Sequence, residues 1–419
     1  MVFIIALFLS QSAHAIGLDQ AVQSSLQKNE VVGQSKEQVV QVEELKKQAT
    51  GSVLPTIALE GSYLIQPEVS DPIAAEFFPD RQTTANVSLN QPLFRGLREF
   101  AAIRRQNSLV AAQKQTFMVE VMALYQKVAD SYMEVLSLEQ DIRNIEAQRG
   151  IYQDRVKDLQ ARSRRGESSG NEAFQAQSTS AALDAEFQIQ SGKLKTAREN
   201  FAFLTGLPVD TKLDDVPENV VMTLQPLSDY LAKVEDRPDV KVKKQQTEAS
   251  NEEVSFAKGA HWPTLDLTAN YYLIRPEGFT EDLKWDVLLK MKLPLYEGGT
   301  TQSKVREAAS KRAGADLALN EARRKAEAEI KSLHESLRLR ADQIKYLKLS
   351  AELAEKNYKF LLRDSRRGLA RSTDVQVGLT EYRGQKRAYD AARYQAQLER
   401  IRLDLASANI PSILTKELE

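Results

Sequence analysis

The chain has 419 residues, 57 basic against 58 acidic side chains, 18 glycines, 13 prolines and no cysteine. A net charge of −1 excludes a binder of phosphate backbones, which would carry a one-sided basic excess. Scarce glycine and proline beside abundant Ala, Gln, Glu, Lys, Arg and Leu point to long helices and coiled coils, not to an ordinary globular core.

In chain order, residues 1–15 read as a signal peptide. Val2 to Leu9 is an apolar run, and Ala13-His14-Ala15 offers small residues where a signal peptidase reads, with cleavage expected after Ala15. No Lys or Arg precedes that run, a departure from the usual leader. Beyond it no apolar stretch reaches the roughly 18 residues a membrane-spanning helix needs. Membrane insertion would therefore use β-strands, read as alternating polarity over about 10 residues.

A first repeat over residues 16–208 opens with a helix from Leu18 to Val53. A hairpin follows at about 55–95: Ile57, Leu59 and Tyr63 alternate with Thr56, Glu60 and Ser62, and Val87 and Leu89 with Asn86, Ser88 and Asn90. Next come a long helix over 96–165 and a shorter one over 170–204. Residues 209–226 form a linker. A second repeat, 227–410, opens with a helix from Ser228 to Ala260 and a hairpin at about 263–296. There Leu265, Leu267, Ala269 and Tyr271 alternate with Thr264, Asp266, Thr268 and Asn270. Trp285, Val287, Leu289 and Met291 alternate with Asp286, Lys290 and Lys292, and Leu288 breaks the polar row. Helices over 299–367 and 372–408 and a tail at 411–419 complete the chain. The hairpin loops carry Pro67, Pro72 and Pro79 in one half and Pro276-Glu277-Gly278 in the other.

The halves are duplicates. Val53-Leu54-Pro55-Thr56 is answered 208 positions later by His261-Trp262-Pro263-Thr264, and Gln91-Pro92-Leu93-Phe94-Arg95-Gly96 is answered 202 positions later by Leu293-Pro294-Leu295-Tyr296-Glu297-Gly298. The 202 offset then holds from Gly96 and Gly298 to Arg164-Arg165-Gly166 and Arg366-Arg367-Gly368. A segment that tolerates no insertion is one continuous packed element, since loops absorb length changes. Ile330, Leu333, Leu337, Arg340, Ile344, Leu347, Ala351, Ala354, Tyr358 and Leu361 step 3, 4, 3, 4, and Val128, Val135, Ile142, Ile145, Val156 and Leu159 keep the same register. That is a coiled-coil repeat. In each half two shorter helices match one long helix in length, which predicts stacking end to end.

A sheet buried in a soluble protein shows the same alternation as these hairpins. Here the neighbouring helices run in coiled-coil register away from the strands and offer no cover. Four strands cannot close a barrel, and open edges in lipid cost several kcal/mol per unpaired group. Shared between copies, two chains give eight strands, a barrel filled by its own side chains; three give twelve.

With these motifs in this order, the chain resembles the TolC-like outer-membrane efflux proteins from Leu18 to about Pro411. The carrying residues are Leu54-Pro55, Gln91 to Gly96, Leu293 to Gly299 and the two Arg-Arg-Gly turns. The resemblance implies a mainly α fold in which a helical coiled-coil tunnel joins a small transmembrane β-barrel, shared by a homotrimer in the bacterial outer membrane. It implies a long periplasmic extension with an equatorial region, for which Pro208 to Pro226 and the tail are candidates. It also implies a tip that closes by coiling and opens on engaging a periplasmic adaptor and an inner-membrane pump, for efflux or type I secretion. The barrel lumen would be lined by Glu60, Asn86, Asn90, Asp266, Asn270, Asp286, Lys290 and Lys292. The tips would dock the adaptor through Arg164, Arg165 and Gly166 and through Arg366, Arg367 and Gly368. Aligned on the tip, Asp374 falls where the family places an acid that narrows the closed entrance, so three copies would set three carboxylates about one axis, a cation-attracting ring. The family's second acid falls on Val377, which predicts weaker cation block. Glu172 and Arg393 match positions that bridge helices in the closed state; the other bridging arginine falls on Ala370, with Arg371 beside it.

No residues group for catalysis. Three histidines, His14, His261 and His334, make neither a metal cluster nor a triad, and Gly298-Gly299 lacks the Gly-Lys-Ser/Thr of a phosphate loop. Six unclustered methionines offer no metal relay. The alternative is a periplasmic coiled-coil adaptor that spans nothing. Such a protein carries a small Gly-rich β-domain between its helices, whereas about ten residues separate them here.

Overall fold

A computed structural model describes residues 15–67, 80–167, 169–215, 224–275, 280–409, 411 and 414. The apolar run of the leader, Pro72, Pro79, Pro276-Glu277-Gly278 and most of the tail lie outside the described residues. In chain order the elements are α1 (Leu18–Lys28), α2 (Glu30–Gly51), β1 (Thr56–Ile65), β2 (Arg81–Arg95), α3 (Arg98–Arg164), α4 (Gly170–Thr205) and α5 (Leu227–Leu231). They continue as α6 (Pro238–Gly259), β3 (Thr264–Ile274), β4 (Trp285–Lys292), α7 (Thr300–Arg366) and α8 (Ser372–Ala406). No described helix is long and apolar enough to cross a membrane. The chain divides into two compact units.

The sheet-bearing unit comprises Ser35–Phe117 and Pro238–Arg323. Its four strands form one antiparallel sheet in the order β1-β2-β3-β4. Beyond the two expected hairpins, β2 and β3 join the halves into a single sheet. The β2–β3 register shifts between Pro92 and Phe94, where proline lacks the N–H a ladder needs. The turn into α3 is tight: Gly96 has φ +69°, and a Cβ there would lie 2.1 Å from the Gly259 carbonyl oxygen. Leu97, at φ +60°, occupies the left-handed conformation that glycine fills at its counterpart Gly299. Beyond the turn, the Arg98 guanidinium lies 4.3 Å from the Phe256 ring, and Arg105 pairs with Glu253 at 2.5 Å.

The helical unit comprises Met1–Gln34, Met118–Arg237 and Arg324–Glu419. The long helices α3 and α7 each run 67 residues, about 100 Å at 1.5 Å per residue. Their heptad positions face inward: Val128, Val135, Ile145 and Leu159 are buried on α3, and Ile330, Leu337, Ala351 and Ala354 on α7. Tyr152, Leu183 and Leu379 bring α3, α4 and α8 together, with Tyr358 and Tyr382 packed alongside. The shorter helices meet where stacking requires it. Ser24 and Ser25 donate to the carbonyls of Thr205 and Leu204, and Lys28 Nζ to that of Gly206, so α1 satisfies the orphan carbonyls at the end of α4. Arg237 does the same for Ala406 at the end of α8. The linker joins this core through Tyr132, whose hydroxyl lies 2.9 Å from the Ile16 carbonyl oxygen and 2.6 Å from that of Asp214.

Candidate functional site

The sheet sorts its side chains by polarity. Residues directly opposite in an antiparallel pair share a face. Glu60 stands opposite Asn86, Asn90 opposite Thr268, Asp266 opposite Lys290, Asn270 opposite Asp286, and Thr264 opposite Lys292. All eight lumen candidates therefore share one face. Hydrogen bonds cross it: Asn86 Nδ2 donates to Asn270 Oδ1 (3.3 Å), Asn270 Nδ2 to Asp286 Oδ1 (2.9 Å), and Tyr272 to Asp286 Oδ2 (2.9 Å). Arg95 holds Asp266 Oδ1 through Nε at 2.9 Å and Nη2 at 2.8 Å.

The opposite face carries Ile57, Leu59, Tyr63, Val87, Leu89, Leu265, Leu267, Tyr271, Trp285, Val287, Leu289 and Met291. Exposure inverts the rule for soluble sheets. On the inner strand β2 polar Asn86 and Ser88 are 7% and 8% exposed, whereas on the edge strands apolar Ile57, Leu59 and Met291 are 71%, 73% and 65% exposed, alongside exposed Glu60, Lys290 and Lys292 of the polar face. A continuous apolar face of this kind marks an interaction with another apolar phase.

The helix turns of the helical unit are built alike. In the first, the N–H of Glu167 bonds the Arg162 carbonyl and that of Gly166 the Ser163 carbonyl; in the second, Leu369 bonds Asp364 and Gly368 bonds Ser365. Both are Schellman closures, with φ +76° at Gly166 and +77° at Gly368. Arg164, Arg165, Arg366 and Arg367 are exposed around them. Arg165 is engaged locally by Glu167 at 2.9 and 3.0 Å, whereas Arg366 and Arg367 have no side-chain partner among the described residues. Asp374 sits in the first turn of α8 and accepts from the backbone N–H of Arg371 at 3.2 Å, capping its own helix.

Glu172 and Arg393, the candidate bridge, are not brought together within this chain. Gln376 donates to Thr179 at 3.3 Å, an offset of 197 that sets Glu172 level with Leu369, 24 residues or about 36 Å short of Arg393. Arg393 instead lies 3.4 Å from Asp215 and 3.0 Å from the Tyr394 hydroxyl. Burial and its bond to Asp215 push the Tyr394 phenol up to about 12.

Two cross-helix contacts escaped the sequence reading. Arg387 on α8 grips Asp141 on α3 at 2.5 and 2.9 Å and Glu186 on α4 at 2.7 Å. Arg155 on α3 donates to the carbonyl and hydroxyl of Ser372, tying α3 to the start of α8. Burial lowers the Arg155 guanidinium from its usual range.

This amphipathic sheet and these 67-residue helices occur together in the fold of solved outer-membrane channels. The outer membrane efflux protein family model matches residues 232–409. The chain is similar to the outer membrane efflux protein BepC of Brucella suis, 25% identical over 234 residues, 54% of this chain and 50% of that one. That match thus spans half the length of the relative. It is also similar to the proteases secretion protein PrtF of Dickeya chrysanthemi, 22% identical over 325 residues, 74% of this chain and 69% of that one. Its fold matches the crystal structure of the outer membrane protein VceC of Vibrio cholerae, with a TM-score of 0.79, 18% identity, and 93% of this chain and 95% of that chain covered. The chain thus shares the fold of VceC over nearly its whole length and matches the outer membrane efflux protein family model across its second half.

Proposed function

We propose that three copies assemble into a channel-tunnel and give the exit path of an efflux pump or type I secretion system. The observation that carries this reading is the inverted sheet. Its exposed apolar face suits lipid, its polar face suits a water-filled lumen, and its two open edges need partners. β1 and β3, at 10 and 11 residues, match the roughly 9–11 residues of a spanning strand, β2 exceeds it at 15 and β4 falls one short at 8. The role is that of a duct and not of an enzyme. The exposed turns around Gly166 and Gly368 are the docking surface for a periplasmic adaptor, which couples the tunnel to an inner-membrane pump, and Asp374 lines the entrance near the second turn. The relatives support both uses: one is named for efflux, the other for secretion of proteases.

The reading is tested by expression and extraction. The protein should fractionate with outer membranes, need detergent for extraction, and run as a trimer that conducts ions in planar bilayers. A monomer stable in buffer without detergent would refute it.

A further inference from the structure

The two hairpins obey the duplication without a residue's discrepancy. β1 pairs with β2 as Thr56 opposite Asn90, and β3 with β4 as Thr264 opposite Lys292. Thus β3 is β1 moved by 208 positions, and β4 is β2 moved by 202. Between the hairpins, β2 meets β3 with Val87 opposite Tyr271, Ser88 opposite Asn270 and Asn90 opposite Thr268. The sheet stops at β1 on one side and β4 on the other, leaving two rows of unpaired backbone groups. If copies close a cylinder, the one junction left is β4 against β1 of the next copy, and it is the counterpart of β2 against β3. The two offsets then convert each observed pair into a pair across the seam.

We propose that β4 of one copy pairs antiparallel with β1 of the next in that register, with Leu289 opposite Tyr63, Lys290 opposite Ser62 and Lys292 opposite Glu60. The proposal rests on the channel reading above and adds the seam between copies. Charge supports it. Glu60 on one edge and Lys290 and Lys292 on the other are exposed and have no ion-pair partner among the described residues. By contrast, Asp266 on the inner strand β3 is held by Arg95, and Asp286, at the opposite end of β4 from Lys292, is held by Asn270 and Tyr272 of β3. One edge ends acidic and the other basic, so the two edges of one chain attract those of its neighbours. Parity supports it too. Glu60 and Lys292 lie on the polar face, and Tyr63 and Leu289 on the apolar face; a one-residue slip would turn an apolar row into the lumen. A two-residue slip keeps the faces, and it is the competing register.

The chain has no cysteine, so engineered pairs report alone. Tyr63→Cys with Leu289→Cys, and Ser62→Cys with Lys290→Cys, sample both kinds of antiparallel pair, at about 4.5 and 5.5 Å between Cα atoms, and both are within disulfide reach. Tyr63→Cys with Val287→Cys or Met291→Cys samples the slipped registers, displaced by about 7 Å along the strand. Within one chain β1 and β4 are separated by two strands, so a bond between copies is read as a covalent trimer on a non-reducing denaturing gel. The in-register pairs should convert detergent-solubilised trimer to that band, and the slipped pairs should not. Cross-linking of a slipped pair instead overturns the register while leaving the channel reading intact. Trimers that cross-link at none of the pairs overturn the strand seam. Absence of any trimer overturns the channel reading itself. As a second measurement, Glu60→Lys should lower the temperature at which trimers dissociate, and adding Lys292→Glu should restore it. Failure of that rescue in a correctly cross-linking protein removes the Glu60–Lys292 pair.

Discussion

Arg387→Ala is expected to loosen the helical unit locally without unfolding it. The guanidinium makes three charged contacts of 2.5–2.9 Å, to carboxylates on two other helices. Its side chain is 28% exposed, with Asp141 at 22% and Glu186 at 36%. A charged hydrogen bond contributes about 1.5–3 kcal/mol when shielded, and a fully exposed pair about 0–1. Partial screening places the whole clamp at about 2 kcal/mol, and truncation further leaves two carboxylates facing each other across the gap. At about 1.4 kcal/mol per decade, 2 kcal/mol is roughly a 30-fold shift in a local opening equilibrium. Amide hydrogen exchange along α3 around Asp141 reads that shift directly, with amides far along the same helix as the control. The cycle with Asp141→Ala should be strongly non-additive, because either change breaks the same contact. Acceleration below about threefold, the range of an exposed surface pair, or additive single variants, would refute the clamp.

Other consequences follow from the tip and the buried phenols. Asp374→Asn keeps a side chain able to cap α8 and removes only its charge, so the fold should persist while single-channel conductance rises or divalent-cation block is relieved in planar bilayers; unchanged behaviour on both counts removes Asp374 from the gate. Burial raises the phenols of Tyr125 and Tyr394 to about 12 and that of Tyr132 further. Each neutral phenol therefore contributes stability that is full below the ordinary phenol value near 10 and is lost as pH rises from there through the folded value. Thermal denaturation should be insensitive to these groups from pH 7 to 10 and fall between 10 and 12, with a shallower fall in Tyr394→Phe. A flat profile across that upper window would contradict the burial of these phenols.

Much of the architecture was legible because its signals are periodic. The 3, 4, 3, 4 steps from Ile330 to Leu361 and the polar-apolar alternation from Thr264 to Tyr271 each repeat over enough residues to outweigh local propensity. The gap-free 202 offset reappears in helices of equal length, Arg98–Arg164 and Thr300–Arg366. What escaped depends on how far along one helix lies opposite another, which no periodicity within a helix records. Glu172 and Arg393 are a plausible pair by residue type, yet the Thr179–Gln376 contact sets them about 36 Å apart. Arg387 finds Asp141 and Glu186 because those acids fall at its own level on two neighbouring helices. The β2–β3 pairing was equally hidden, since it joins strands separated in sequence by one long helix and three shorter ones.

The central claim is that the apolar face of the sheet meets lipid, and Trp285 tests it directly. It is one of two tryptophans in the chain, lies on that face and is 67% exposed. With Trp262→Phe it becomes the sole indole fluorophore in protein reconstituted into liposomes. Lipids brominated on the acyl chain should quench its fluorescence strongly, while aqueous iodide should leave it nearly unchanged. Quenching by iodide with no response to brominated lipid would place this face in water and contradict the account.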